Sequence, residues 1–515
     1  MSGAKGASSF HYALNVQIAA TSFFRVQHLS SPQIFHGKSA RVSAPFTKFR
    51  IERWPFPMGF ILSVLYIVTY YLTPVTIFGP LAAFRIELIL AALVIVLSLP
   101  RLAGSTVLKT PQSLALMGLT LAVFSSVMIA QHWGSGAIEA MLGFIPCALA
   151  YYLATIHGNT KKRLQILALL LLFTCLFIIA RGSIELASGV SYNDADPMGF
   201  NSSPYLFPMK NDSGELFFRL RGLGMINDPN DLGQLLVCTI PLVFFFWRQK
   251  KLLSNIFTVL LPVSILLLGA FFTHSRGALL ALMAILIVAA RRRIGMVPAL
   301  VLGVGVFAAS MAMHFSGGRD ISTGAGADRT ALWSDGMEIL KSHPLFGVGL
   351  GEFADNCDGC GHTAHNSLVV CAAELGSFGL FFWCMFLFPT LRDALLLASP
   401  NKVSEGDSFP PLKGPNSMWN GKQEVIDKEE INRLGRLLVL SLTGFLVTGW
   451  FLSRAYVLTL FFLGGMVEVV YEMALQRGMV PPRLPLVRNV WYSAGLAVAL
   501  LLLMYVLLRT VNITH

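Results

Sequence analysis

Leu252-Leu-Ser-Asn-Ile-Phe-Thr-Val-Leu-Leu-Pro-Val-Ser-Ile-Leu-Leu-Leu-Gly-Ala-Phe-Phe272, the turn Thr273-His-Ser-Arg-Gly277, the run Ala278-Leu-Leu-Ala-Leu-Met-Ala-Ile-Leu-Ile-Val-Ala-Ala290 and the triplet Arg291-Arg-Arg293 decide the fold of this chain. A helix needs about 20 mostly apolar residues to cross a bilayer. Two apolar runs separated by a turn this short form a hairpin of membrane helices. The three arginines that close the second run mark its end as cytoplasmic, because lysine and arginine collect on that side. Arg276 then stands at the opposite, outer turn, where a cation needs a reason.

The same reading extends in both directions. Of the 515 residues, 55% are hydrophobic and 13% charged, against about 25% charged in a typical soluble domain. Further apolar runs fall near 56–75, 79–99, 113–131, 137–156, 164–181, 231–247, 294–314, 366–389, 437–451, 456–472 and 489–508. With 252–273 and 277–290 they predict an all-α polytopic membrane protein of about 12–14 spans. With the N-terminus inside, most of the 39 Lys and Arg fall on cytoplasmic segments, including Lys161-Lys162-Arg163, Arg248, Lys250, Lys251 and Arg291-Arg292-Arg293. A wrong count would scramble that alternation. The net charge of +12 therefore writes membrane orientation. Nucleic acid is not expected as a partner, since no basic face with interleaved aromatics occurs.

This topology divides the chain into a cytoplasmic tail (1–54), a membrane region (55–390) with large periplasmic segments at 182–230 and 315–365, a solvated cytoplasmic loop (391–436) and C-terminal helices (437–515). The tail has no apolar stretch followed by a small-residue cleavage site; His11–Phe24 is a candidate surface-lying helix. No internal repeat is evident, which gives an inverted-repeat transporter no support.

The outer cations are Arg219 and Arg221, in a segment that continues Gly222-Leu-Gly-Met-Ile-Asn227-Asp-Pro-Asn230 into the sixth span, then Arg276, Arg319 and Arg329. A guanidinium grips phosphate through parallel hydrogen bonds, and several together would cradle a diphosphate. A single such arginine equally snorkels to lipid headgroups. His365 stands at the N-terminal end of a span, where a neutral imidazole can accept a proton from a hydroxyl; the alternative is a capping or interfacial histidine. Asn366 would orient it or bind substrate. Glu374, about 13 Å further along the helix, reads as one member of a structural ion pair, as do Glu87 with Arg85, and Glu468. Cys357-x-x-Cys360-x-His362-x-x-His365 has zinc-like spacing, but an oxidising compartment favours a disulfide, and free thiols are the third reading. The other five cysteines lie in apolar runs as buried hydrophobes. With no P-loop, dinucleotide fingerprint or sugar-nucleotide domain, a glycosyltransferase of this kind would need a donor already attached to lipid.

Several segments together resemble the O-antigen ligase and polymerase superfamily over roughly 217–390: Arg221-Gly-Leu-Gly with Asn227-Asp-Pro-Asn230, Ser275-Arg-Gly-Ala278, Asp328-Arg-Thr-Ala-Leu-Trp333, His343-Pro-Leu-Phe-Gly-Val-Gly-Leu-Gly351, His365-Asn366-Ser-Leu and Glu374-Leu-Gly-Ser-Phe-Gly379. The resemblance implies transfer of a glycan from undecaprenyl diphosphate to a hydroxyl of a glycan, of lipid A–core or of another acceptor, at the periplasmic face of the inner membrane. It implies inversion, no metal and no other cofactor. Arg221 and Arg276 would hold the donor diphosphate, His365 would be the base, and Arg219, Arg329, Asn230, Asn366 and His362 would line the substrate site. His362, Cys357 and Cys360 are not required by the family, and a second histidine makes the base ambiguous. A polysaccharide or lipid-linked glycan transporter or flippase, and a membrane scaffold, are the competing classes; polar groups at the mouth rather than the midplane speak against transport.

Overall fold

The computed structural model describes residues 58–189, 203–211, 213–313, 315, 323–357, 361–399 and 427–513. The N-terminal tail, Arg319, Cys360 and most of the 391–436 loop lie outside these residues. The helices are α1 (Met58–Leu72), α2 (Ile86–Ala103), α3 (Pro111–Ala130), α4 (Gly134–His157) and α5 (Lys161–Ser188). A hairpin of β1 (Leu206–Lys210) and β2 (Leu216–Leu220) follows. Next come α6 (Pro229–Val243), α7 (Leu252–Phe272), α8 (Arg276–Ile294), α9 (Met296–Ala312) and α10 (Thr323–Ser342). The chain ends with α11 (Ser367–Ala398), α12 (Lys428–Gly449), α13 (Leu458–Leu475) and α14 (Leu486–Ile513).

Ten of these helices are long and apolar enough to cross a membrane, with α1 and α9 shorter. Helix α8 is equally apolar but closes on Arg291, Arg292 and Arg293. Each of the apolar stretches read from the sequence is one of these helices, and α10 is the additional one. The protein is an all-α multi-pass membrane protein whose small antiparallel hairpin was not foreseen.

Helix α13 is buried along its whole length, as expected of a helix apolar on every side. It packs on α4, and α11 packs against α3, α12 and α14. Its two acids are neutralised: Arg483 reaches Glu468 at 2.6 Å and Glu472 at 2.8 Å. Glu468 is thus an ion-pair member, as read. Glu87 and Arg85 are not: Arg85 is exposed in a left-handed conformation ahead of α2, and no ion pair joins the two.

Helix α11 is broken at Gly376, whose φ of 65° and ψ of −168° belong to a region open essentially to glycine alone. The break frees backbone groups inside the bundle, and each finds a partner in 343–351. Val348 and Gly349 N–H donate to the carbonyls of Ala373 and Glu374 at 3.1 and 3.0 Å. Ser377 and Phe378 N–H donate to Pro344 and Leu345 at 2.9 and 3.1 Å. The Glu374 carboxyl accepts from the backbone of Gly351 and Phe353. Its partners are therefore amides of this loop rather than the cation an ion pair would require. A lipid-facing break would leave such groups unpaired; one buried against protein is tolerated.

Candidate functional site

Three of the segments singled out in the sequence are helix N-termini. Asp228 caps α6, its side chain accepting from Asn230 N–H, with Pro229 as the first helical residue. Ser275 caps α8 through Ala278 N–H. Asn366 caps α11, accepting from Leu368 and Val369. Side-chain oxygens at these positions satisfy amides the helix cannot.

The three termini meet. A Cβ added at Gly233 of α6 would stand 3.1 Å from the Cβ atoms of both Ser275 and Ala278, so only glycine lets α6 and α8 approach this closely. Asp231, one turn into α6, pairs with Arg454 through Nε at 2.7 Å and through a second, very short contact to Nη2. Arg454 N–H in turn donates to Ser367 Oγ at the start of α11. Helix N-termini carry partial positive charge, and three of them share this end of the bundle.

Two arginines add full charges. Arg276 is the first residue of α8, and its buried Nε has no hydrogen-bond partner. Arg329, on α10, lies 5.7 Å over the Phe451 ring, and a Cβ on Gly277 would be 3.6 Å from Phe451 Cβ. Phe451 thus lies between the Arg329 guanidinium and the first turn of α8. Burial, and then the charge of Arg276, loosen the hold of Arg329 on its proton. Among the described residues neither arginine has a carboxylate partner. An anion would relieve that repulsion.

His365 belongs to the same group. Its backbone is left-handed, with φ 48°, an uncommon state for a non-glycine residue, in which histidine is nonetheless enriched. The turn is clamped: His365 N–H donates to Ser453 Oγ at 2.8 Å, and Trp333 Nε1 donates to Ala364 O at 2.9 Å. The imidazole is held below the usual histidine value, first by loss of hydration and then by the charge of Arg329; His362 adds to this, and Asp228 opposes it. An imidazole so placed is neutral at pH 7 and free to take a proton.

Of the other candidates, Arg219, Arg221 and Asn366 are buried and hydrogen-bonded. Arg219 is buried on β2; its Nε donates to Thr273 O at 2.9 Å and its Nη2 to Asn230 Oδ1 at 3.0 Å. Arg219 and Asn230 therefore clasp the hairpin to the 273–276 turn. Arg221 is 2% exposed, donates to Ser203 O at 2.7 Å just ahead of β1 and lies over Phe207 of β1. Asn366 uses both ends of its amide, since its Nδ2 also donates to Trp450 O at 3.1 Å. His362 is exposed beside His365. Cys357 is disulfide-bonded, which removes it as a thiolate ligand, and among the described residues no His, Cys, Asp and Glu group suits a metal ion.

Sequence reading missed Arg454 and Asp231. The signal was available for Arg454: it is a cation in the short turn between α12 and α13, at the end where cations are sparse. Asp231 lies within an N-terminal segment that drew notice only for its asparagines and glycines.

The O-antigen ligase family model matches residues 261–384, a segment that includes Arg276, Arg329, His362, His365 and both halves of the Gly376 break. The match bears out the resemblance read from the sequence and supports glycan transfer of the ligase or polymerase type. No curated protein matches the chain.

Proposed function

We propose, from the O-antigen ligase match and the site around it, that this protein is a membrane glycosyltransferase moving a glycan from undecaprenyl diphosphate to an acceptor hydroxyl at the periplasmic face. One observation carries the reading: two guanidiniums without carboxylate partners among the described residues, Arg276 and Arg329, share a mouth with His365, whose imidazole is held below the usual value by burial and then by the Arg329 charge. Arg276 and Arg329 grip the donor diphosphate. His365 takes the proton from the acceptor hydroxyl as its oxygen attacks the anomeric carbon from the side opposite the diphosphate. The new C–O bond forms as the sugar–phosphate bond breaks, the configuration inverts, and the electron pair leaves on undecaprenyl diphosphate. Charge developing there is stabilised by groups already in position. Arg219 and Arg221 act as positioning residues, since both are buried and bond Thr273 O and Ser203 O on either side of the hairpin.

A lipid-linked donor also has somewhere to lie. An apolar cavity of about 420 Å³ runs between α7, α8 and α9, lined among others by Phe271, Leu279 and Phe315. It starts beside His274, whose Nδ1 contacts Phe315 O at 2.8 Å, two residues from Arg276. A polyprenyl chain leaving the diphosphate enters the hydrocarbon along this face.

The test is to delete the gene in its host and size both the surface polysaccharide and the lipid-linked glycan, then complement with Arg276→Ala, Arg329→Ala and His365→Ala. Long chains held on the lipid carrier with bare core at the surface identify a ligase. Single repeat units without long chains identify a polymerase. Normal glycan with all three variants at normal membrane level would refute the assignment and return a transporter to first place.

A further inference from the structure

Helices α8, α11 and α12, which all reach the His365 end, enclose a second basic site at their other end. Arg293 lies 17 residues beyond Arg276 on α8, roughly 25 Å along the axis. There a cavity of about 500 Å³ opens between the C-terminal turns of α8 and α11 and the first turns of α12. Five arginines line it: Arg291, Arg292 and Arg293 from α8, Arg433 and Arg436 from α12.

Two of them are fixed in place. Arg292 Nη1 donates to Ala398 O at 2.8 Å, at the C-terminal end of α11. Arg433 chelates Glu430 at 2.6 and 2.8 Å and donates to Phe244 O at 2.7 Å. Glu430 is already shared with Lys161 at 2.8 Å, so this carboxylate has no charge to spare. Arg291, Arg293 and Arg436 are exposed and have no acidic partner among the described residues. Arg291 and Arg436 stand close enough to Arg292 to repel its charge. The rest of the wall is apolar, with Val288, Leu395 and Leu440 facing the same space.

We propose that this cavity binds the phosphodiester headgroup of an anionic phospholipid, its phosphate between Arg291, Arg292 and Arg436 and an acyl chain along Leu395 and Leu440. Guanidiniums in excess of carboxylates call for an oxyanion. The apolar wall selects an anion that carries a chain over a free phosphate. Lysine and arginine assign this end to the cytoplasm, where anionic lipids bind basic pockets between helices. Simple orientation charges differ in one respect: Lys250 and Lys251, exposed in the turn before α7, do not line this cavity. The inference is independent of the glycan-transfer reading.

The experiment uses the full chain in neutral detergent, with retained lipid read by native mass spectrometry and affinity by titrating phosphatidylglycerol against phosphatidylcholine. Wild type is expected to bind phosphatidylglycerol selectively. Arg291→Gln with Arg436→Gln should weaken that binding about tenfold or more, while Lys250→Gln with Lys251→Gln changes it less than about twofold. Leu395→Trp, which fills the wall, should weaken phosphatidylglycerol and leave competition by inorganic phosphate unchanged. Equal losses in the two double variants would mean diffuse attraction and overturn the site. Inorganic phosphate binding as tightly as the lipid, or an unaffected Leu395→Trp, would overturn the lipid as its occupant. Thermal unfolding of each variant separates lost binding from lost fold.

Discussion

Replacing Gly376 by alanine tests the junction on which the His365 end rests. At φ 65° and ψ −168° the backbone costs an L-residue about 1–3 kcal/mol. The added Cβ would collide with Leu345 O and stand 2.6 Å from Phe346 N; both are backbone atoms and cannot swing aside. Opening the contact breaks the bonds from Ser377 and Phe378 N–H to Pro344 and Leu345, at 2.9 and 3.1 Å. Each buried donor left unpaired costs about 1–3 kcal/mol. The expected loss is therefore at least about 3 kcal/mol, a fall in Tm of roughly 3 °C or more for a chain of this size. Gly143→Ala is the control, since nothing lies within 4 Å of its added Cβ and the residue sits inside α4; it should be neutral or stabilising by up to about 1 kcal/mol. The assay is thermal unfolding of the purified protein in detergent, alongside glycan transfer at a temperature where both variants are folded. Gly376→Ala melting within error of Gly143→Ala would refute the account of the junction.

Other expectations follow from the same geometry. His365→Ala should lower turnover by about 10²–10⁴, the usual contribution of a general base, with membrane level and Tm unchanged; a loss below fivefold would remove it from the chemistry. Because the imidazole is held below the usual histidine value, transfer should persist below pH 6.5, with its acid limb where His365 takes up a proton. Arg329→Gln removes one cause of that depression, so the limb should move to higher pH; a limb that moves down or stays fixed contradicts the coupling. Asp231→Ala leaves Arg454 without its partner in a largely buried site, a change worth about 3–5 kcal/mol when both charges are enclosed. Arg454 is 29% exposed, so the lower end applies, and Asp231→Leu with Arg454→Met should recover part of the loss. Activity should survive exhaustive chelation; inactivation reversed by one added metal would overturn the proposed metal-independent route.

The helices were legible because hydropathy is local: each apolar stretch could be judged without knowing its neighbours. The break at Gly376 was not, because the apolar run passes through it unchanged and only the opposing loop at 343–351 makes it possible. The two segments were visible as Glu374-Leu-Gly and as Gly347-Val-Gly, yet nothing in either says that one supplies hydrogen bonds for the other. Glu374 misled for the same reason. A buried carboxylate suggests a cation until the amides of Gly351 and Phe353 are seen to face it. The hairpin was lost in a segment read only for its charges, although Leu216-Phe-Phe-Arg-Leu220 is rich in residues that favour strands.

The candidate site was legible in its parts list and not in its assignments. Asp228, Ser275 and Asn366 each precede an apolar run, the ordinary signature of a helix N-cap. That signal outranks a substrate role until a free side-chain atom is shown. For the arginines, position relative to the membrane gave a short list with no ranking. Arg219 and Arg221 are met by carbonyls of Thr273 and Ser203 and by Asn230, and Arg454 is met by Asp231. Among the described residues, Arg276 and Arg329 have no carboxylate partner. Whether a guanidinium is spent on the fold or left for a ligand depends on groups 11 to 223 residues away in the chain. The same arginine-rich logic therefore gives buried clasps beside the hairpin, the proposed anion-binding mouth at Arg276 and Arg329, and the proposed headgroup pocket at Arg291 and Arg436. Partner supply, rather than residue type, separates the three.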